Sequence, residues 1–165
     1  GDTFGHIGQS LYLNVADKNN DKIYTPPPVS LQDEKNNGDF VRDQITSGIV
    51  NACHDISNGG LLVAITEMAL SGNIGCKVET NMIHEIPLND WLFGEDQGRY
   101  VLTVSKTDVQ ALLAKAIEKN ITALVIGETG GDEIIVHMNT AECVRVQLPE
   151  LREIHEGWFP NYMNT

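Results

Sequence analysis

Ile49 to Leu70 reads IVNACHDISNGGLLVAITEMAL, and within it the hydrophobic period changes. Ile49 to His54 is a short run suited to a buried strand, Ser57 to Gly60 is a break, and Leu61, Ile65, Met68 and Ala69 then recur at i, i+4, i+7 and i+8. That spacing puts them on one stripe of a helix. Gly72 and Gly75 close the helix, Cys76 to Thr80 suits a second strand, and Arg99 to Val104 suits a third after a loop containing Pro87. Ser105 with Asp108 has the spacing of a capping box, and Val109, Leu112, Leu113, Ala116 and Ile117 form the stripe of a second helix that Asn120 ends. With Ile121 to Ile126 as a further β-branched run, residues 49–126 have the order strand, helix, strand, strand, helix, strand. This is the βαββαβ unit of ferredoxin-like sheets, and it predicts an α+β fold with a mixed sheet and packed helices.

On the N-terminal side, Leu11, Leu13 and Val15 share one parity, which predicts a strand over Gln9 to Val15. A polar loop over Asp17 to Lys22 follows, and Pro26, Pro27 and Pro28 cannot supply regular hydrogen bonds. Ser30 suits a helix cap, with Asp33 and Glu34 at the positive end and Val41, Ile45 and Ile49 at four-residue spacing. Gly38 in its interior costs about 1 kcal/mol. On the C-terminal side, Ile121 to Ile126 and Glu133 to Met138 are separated by Gly127, Gly130 and Gly131, which suggests an antiparallel hairpin. A last helix starts near Pro149, and Trp158, Phe159 and Tyr162 are expected to anchor it to the core, with an interface role as the lesser alternative.

The 165 residues suit a single domain. A chain of that size hides roughly 68 to 70% of its unfolded surface without staples. Cys53, Cys76 and Cys143 are odd in number and lack CxxC spacing, so a disulfide framework or zinc ribbon is not expected. They read as buried small hydrophobes in a reducing cytoplasm. The net charge of -12 argues against nucleic acid and membrane partners, and no apolar run reaches the ~18 residues of a membrane span. The chain opens at Gly1 rather than methionine, which fits a piece of a longer protein.

Two loops carry candidate chemistry. In the first, Asp55, Ser57, Gly59 and Gly60 lie between strand and helix, where exposed amides and the helix dipole suit a phosphate or another anion. Equally, Ser57 or Asn58 can simply cap the helix, the glycines simply permit the turn, and Asp55 accept amides locally. The second is Gly94-Glu95-Asp96-Gln97-Gly98-Arg99, where Glu95 and Gln97 suit a polar ligand and Glu95 with Asp96 a hard cation. The alternative is a solvated turn with Arg99 paired to a carboxylate. The five histidines have no metal-ligand spacing, and Cys53 and His54 point to opposite faces if both lie in a strand, which disfavours a nucleophile pair.

Five stretches, GHIGQSLYL (5–13), NGDFVR (37–42), HDISNGGLLVAITEMAL (54–70), LFGEDQGRYVLTV (92–104) and LREIHEGWFPNYM (151–163), together resemble the C-terminal AIR-synthase-type module of the phosphoribosylformylglycinamidine synthase family. The resemblance implies an AIR synthase C-terminal domain-like fold. It also implies membership of an ATP- and Mg2+-dependent ligase that makes formylglycinamidine ribonucleotide from formylglycinamide ribonucleotide and glutamine-derived ammonia. The partners implied are N-terminal ATP-binding modules of the same chain and a glutaminase subunit or domain. The catalytic groups belong to those preceding modules, so no catalytic residue or metal ligand is expected here. The family's first-half loop has Glu-Ser-Gln against the substrate. Asp96 replaces that serine here, so Asp55, Ser57, Gly59, Gly60, Glu95 and Gln97 are candidates for an auxiliary nucleotide or anion site. Two alternatives remain open: a module of another superfamily member, such as aminoimidazole ribonucleotide synthetase, or a free-standing anion or nucleotide sensor.

Overall fold

The computed structural model describes residues 1–16, 25–79 and 86–164. The chain divides into two compact units: Gly1–Ile65 with Glu85–Leu124, and Thr66–His84 with Val125–Thr165. Helices and a mixed sheet are both present, as the α+β reading expects.

In the first unit, α2 (Leu31–Thr46) starts where Ser30 Oγ accepts the Asp33 amide at 3.3 Å, with Asp33 and Glu34 in the first turn. β1 (Val50–Asp55) pairs antiparallel with β3 (Tyr100–Val104) in a two-stranded sheet. Phe40 and Val41 of α2 pack with Leu112 and Ala116 of α5 (Val109–Glu118), and Tyr100, Leu102 and Val104 close over them. A fully buried side chain of this size contributes ~1.5–3 kcal/mol, so the α2–α5–β3 contact is a main source of stability in this unit. Gly38 has its reason here: a Cβ would come within 3.3 Å of the Tyr100 hydroxyl.

The second unit holds a four-stranded sheet in the order β4 (Gly127–Thr129), β2 (Cys76–Glu79), β5 (Glu133–Met138), β6 (Ala141–Gln147). β2 runs parallel to β5, while β4 and β6 are antiparallel to their neighbours. Val78, Ile134 and Val136 are its buried residues. α6 (Leu148–Met163) follows β6 directly, with Pro149 in its first turn and Leu148 buried. α3 (Gly60–Gly72) carries the expected stripe, with Leu61, Ile65 and Ala69 buried.

Several expectations are corrected. Gln9 to Val15 is no strand: Leu11–Ala16 is helix α1, because Ser10 Oγ accepts the Leu13 amide and Ser10 O the Asn14 amide. Capping outweighs a period of two carried by three residues. Ile121 to Ile126 is no strand either. The Ile121 amide is taken by Ala116 O after Asn120 turns left-handed at φ 54°, and Ile126 O accepts the Glu79 amide. The hairpin is therefore β5–β6, joined by Asn139 and Thr140 with φ 49° and 71°, the two positive values of a type I′ turn. The capping box does not form, since α5 begins at Val109 and Asp108 makes no side-chain cap bond. α4 (Leu88–Phe93) lies where a loop was expected. β1 is mostly exposed rather than buried. Cys53 and Cys143 are exposed and Cys76 is half-buried, all three free. Trp158, Phe159 and Tyr162 are exposed and do not anchor α6. The loop expected over Asp17 to Lys22 lies outside the described residues, as does Thr80 at the end of the second expected strand.

Candidate functional site

The turn after β1 and the loop after α4 meet in the first unit. Gly59 and Gly60 have φ of +81° and +71°, a left-handed backbone that glycine adopts without penalty. A Cβ on Gly60 would lie 2.6 Å from Phe93 C and 2.8 Å from Gly94 O, so the turn sits directly on the backbone that opens the second loop. Phe93 in turn stacks on Tyr12 of α1 with ring centroids 4.4 Å apart.

Glu95 joins these segments through one atom. Its Oε1 accepts the Gly59 amide and the Leu11 amide, each at 2.8 Å. One amide of the expected anion site, that of Gly59, is thus taken by a carboxylate of the chain itself. Asp96, 4% exposed, gathers the N-terminal stretch. Its Oδ2 accepts Thr3 Oγ1 at 2.9 Å, the His6 amide at 3.1 Å and the Phe4 amide at 3.3 Å. The Glu95 amide donates to His6 O at 3.0 Å. Asp96 Oδ1 is buried and has no hydrogen-bond partner among the described residues.

Arg99 is 5% exposed and corrects the picture of a solvated turn. Among the described residues it is not bound to a carboxylate oxygen: its Nε donates to Asp96 O at 3.1 Å and its Nη2 to Gly94 O. Burial pushes its pKa down and the Asp96 charge pushes it up. By tying two carbonyls of one loop to a single guanidinium, it fixes the curve that aims Glu95 and Asp96 in different directions. Arg99 O accepts the Ile56 amide at 2.9 Å, which binds this loop to the β1 turn a second time.

Of the six candidate residues, then, Glu95 and Gly59 are joined by a hydrogen bond, and Gly60 sits against Phe93 and Gly94. Asp55, Ser57 and Gln97 are exposed on the rims of the two loops, with Gln97 Nε2 donating to Glu95 O at 3.2 Å. Sequence reasoning missed the buried role of Asp96. Its signal was present, since an acid between two glycines beside an arginine suits a loop that folds back on itself.

The donor set does not fit a magnesium ion. The Glu95 and Asp96 oxygens that are engaged accept amides and a hydroxyl, and no group of three or more His, Cys, Asp or Glu side chains converges among the described residues. Cys53 and Cys76 are not activated thiols: burial raises the pKa of both, and the Asp55 charge raises that of Cys53 further.

Residues 5–139 match the family described as AIR synthase related protein, C-terminal domain. The chain belongs to this family. It is similar to the phosphoribosylformylglycinamidine synthase subunit PurL of Parvibaculum lavamentivorans, 44% identical over 99% of the chain and 21% of that protein. The corresponding protein of Rhodospirillum rubrum is 43% identical over the same shares. The chain therefore spans about a fifth of the length of the curated relatives it matches. Among solved structures, T. maritima PurL complexed with FGAR superposes with a TM-score of 0.70 at 20% identity, covering 81% of this chain and 23% of that one. T. maritima PurL complexed with ATP gives 0.65 at 20% identity, covering 71% and 21%. At that identity the likeness is one of fold. Among the described residues no helix is long and apolar enough to cross a membrane.

Proposed function

We propose that this chain is the C-terminal module of a phosphoribosylformylglycinamidine synthase, a cytoplasmic ATP- and Mg2+-dependent ligase of purine synthesis. The observation that carries this reading is the 44% identity running over 99% of the chain to a relative of which it makes up only 21%. In this reading the other modules of the polypeptide hold ATP, metal and the reacting amide, and a glutaminase supplies ammonia. Alone, the 165 residues catalyse nothing. Their part is to present a rigid face: Glu95, Asp96 and Arg99 lock the N-terminal stretch, the β1 turn and the loop after α4 into one piece. Asp55, Ser57 and Gln97 on the loop rims border an auxiliary, non-catalytic anion site in the longer enzyme. Gly59 contributes no amide to it while Glu95 holds that amide.

The test is a matched pair of assays with formylglycinamide ribonucleotide, ATP, Mg2+ and ammonia. The native longer protein is expected to release ADP in step with product, and the 165-residue chain to release none. Substrate-dependent ADP release by the isolated chain would overturn the assignment.

A further inference from the structure

The first half of α6 is fastened to its own unit. Leu148 is buried, and the Arg152 guanidinium donates to Leu70 O at 2.7 Å and to Asn73 Oδ1 at 3.3 Å, capping the end of α3. Beyond that point Ile154, Trp158, Phe159, Tyr162 and Met163 are each 60–67% exposed. Ile154, Trp158 and Tyr162 recur every four residues, which stacks them on one side of the helix. Trp158 lies flat on Tyr162, with centroids 5.5 Å apart and planes 8° from parallel. Aromatic side chains carry ~150–250 Å² of surface each, and a preformed, stacked pair loses little entropy when covered, which is why Trp and Tyr dominate the centres of protein interfaces.

Resting on the module reading above, we infer that this face of α6 docks onto the remainder of the synthase polypeptide, which meets it with an apolar groove rimmed by basic side chains. Three observations select that occupant. The helix lies outside residues 5–139, the part common to the family, yet inside the stretch shared over 99% with the synthase relatives. Some four-fifths of those relatives' length is sequence beyond this chain, so a large partner surface belongs to the same polypeptide. Charge favours that occupant over a second copy: exposed Glu150 stands one turn before Ile154 and Glu153 beside it, and the chain carries -12 overall, so two such faces repel while a basic rim is complementary.

Hydroxyl-radical footprinting of the native longer protein beside the 165-residue chain tests this. Trp158, Tyr162 and Met163 are expected to label about ten-fold more slowly in the longer protein, as fully covered interface centres do. Trp158→Asp is expected to lower the melting temperature of the longer protein and leave that of the 165-residue chain unchanged. Equal labelling in the two proteins sinks the inference while leaving the module reading intact. Protection already present in the short chain and lost on dilution also sinks it, in favour of self-association. A native gene that encodes nothing beyond these residues ends both.

Discussion

Gly60→Ala isolates the contact on which the two candidate loops depend. Its cost has two parts. At φ +71° an alanine pays about 1–2 kcal/mol for the left-handed backbone. Its Cβ would also sit 2.6 and 2.7 Å from the Phe93 backbone and 2.8 Å from Gly94 O, atoms that cannot rotate away. Overpacking of that kind adds about 1–3 kcal/mol. Gly48→Ala is the internal control, since Gly48 has φ +76° but nothing within 4 Å of the place an added methyl would take. The control should therefore lose only the backbone part. Urea unfolding followed by far-UV circular dichroism measures both, and a loss of about 3 kcal/mol should lower the melting temperature by about 6–12 °C for a chain of this length. If Gly60→Ala and Gly48→Ala agree to within about 0.5 kcal/mol, the loop after α4 does not press on the turn and the site geometry is wrong.

Glu95→Ala removes one acceptor from two amides and is expected to cost about 1.5–3 kcal/mol, with faster hydrogen exchange at Gly59 and Leu11, whereas Glu95→Gln keeps an acceptor and loses less. Unchanged exchange at both amides in the alanine variant would show that the carboxylate does not hold them. A pH titration addresses the surface pairs. Hydrogen bonds from Lys35 and Arg42 hold the Asp39 carboxyl below its ordinary 3.8, and those from Lys77 and Arg145 hold Glu79 and Glu142 below 4.5. A carboxylate whose folded pKa is depressed stabilises above the unfolded value and ceases to as the pH falls through the folded one, so these contributions vanish on the acid side only. All three pairs lie at the surface, so carboxyl NMR titrations in high salt should return them toward ordinary values, and depression that survives salt would contradict the surface assignment.

Much of the local chemistry was readable where the deciding atoms are near in sequence, although the Ser105 and Asp108 capping box was not. Ser30 caps α2 through an amide three residues on, and the stripes of α3 and α5 bury residues their spacing selected. The failures have both near and distant causes. Leu11, Leu13 and Val15 alternate like a strand, but the Leu11 amide is satisfied by Glu95, 84 residues away. Ile121 to Ile126 has strand composition, but its first amide is spent on the end of α5. Burial of Trp158 or Cys143 could not be read from residue type, because apolarity says what would gain from cover and not whether cover is near.

The amino-acid order by itself determined the family, the succession of β1, α3, β2, β3 and α5, and the two loops that matter, because caps, glycine turns and helical periods act over a few bonds. Tertiary structure alone decided that the strands divide between two sheets, that Glu95 takes the Gly59 amide, and that Asp96 and Arg99 are buried. Those outcomes depend on which distant donor reaches a buried carboxylate first, and desolvation makes that pairing obligatory without leaving any period or spacing in the chain.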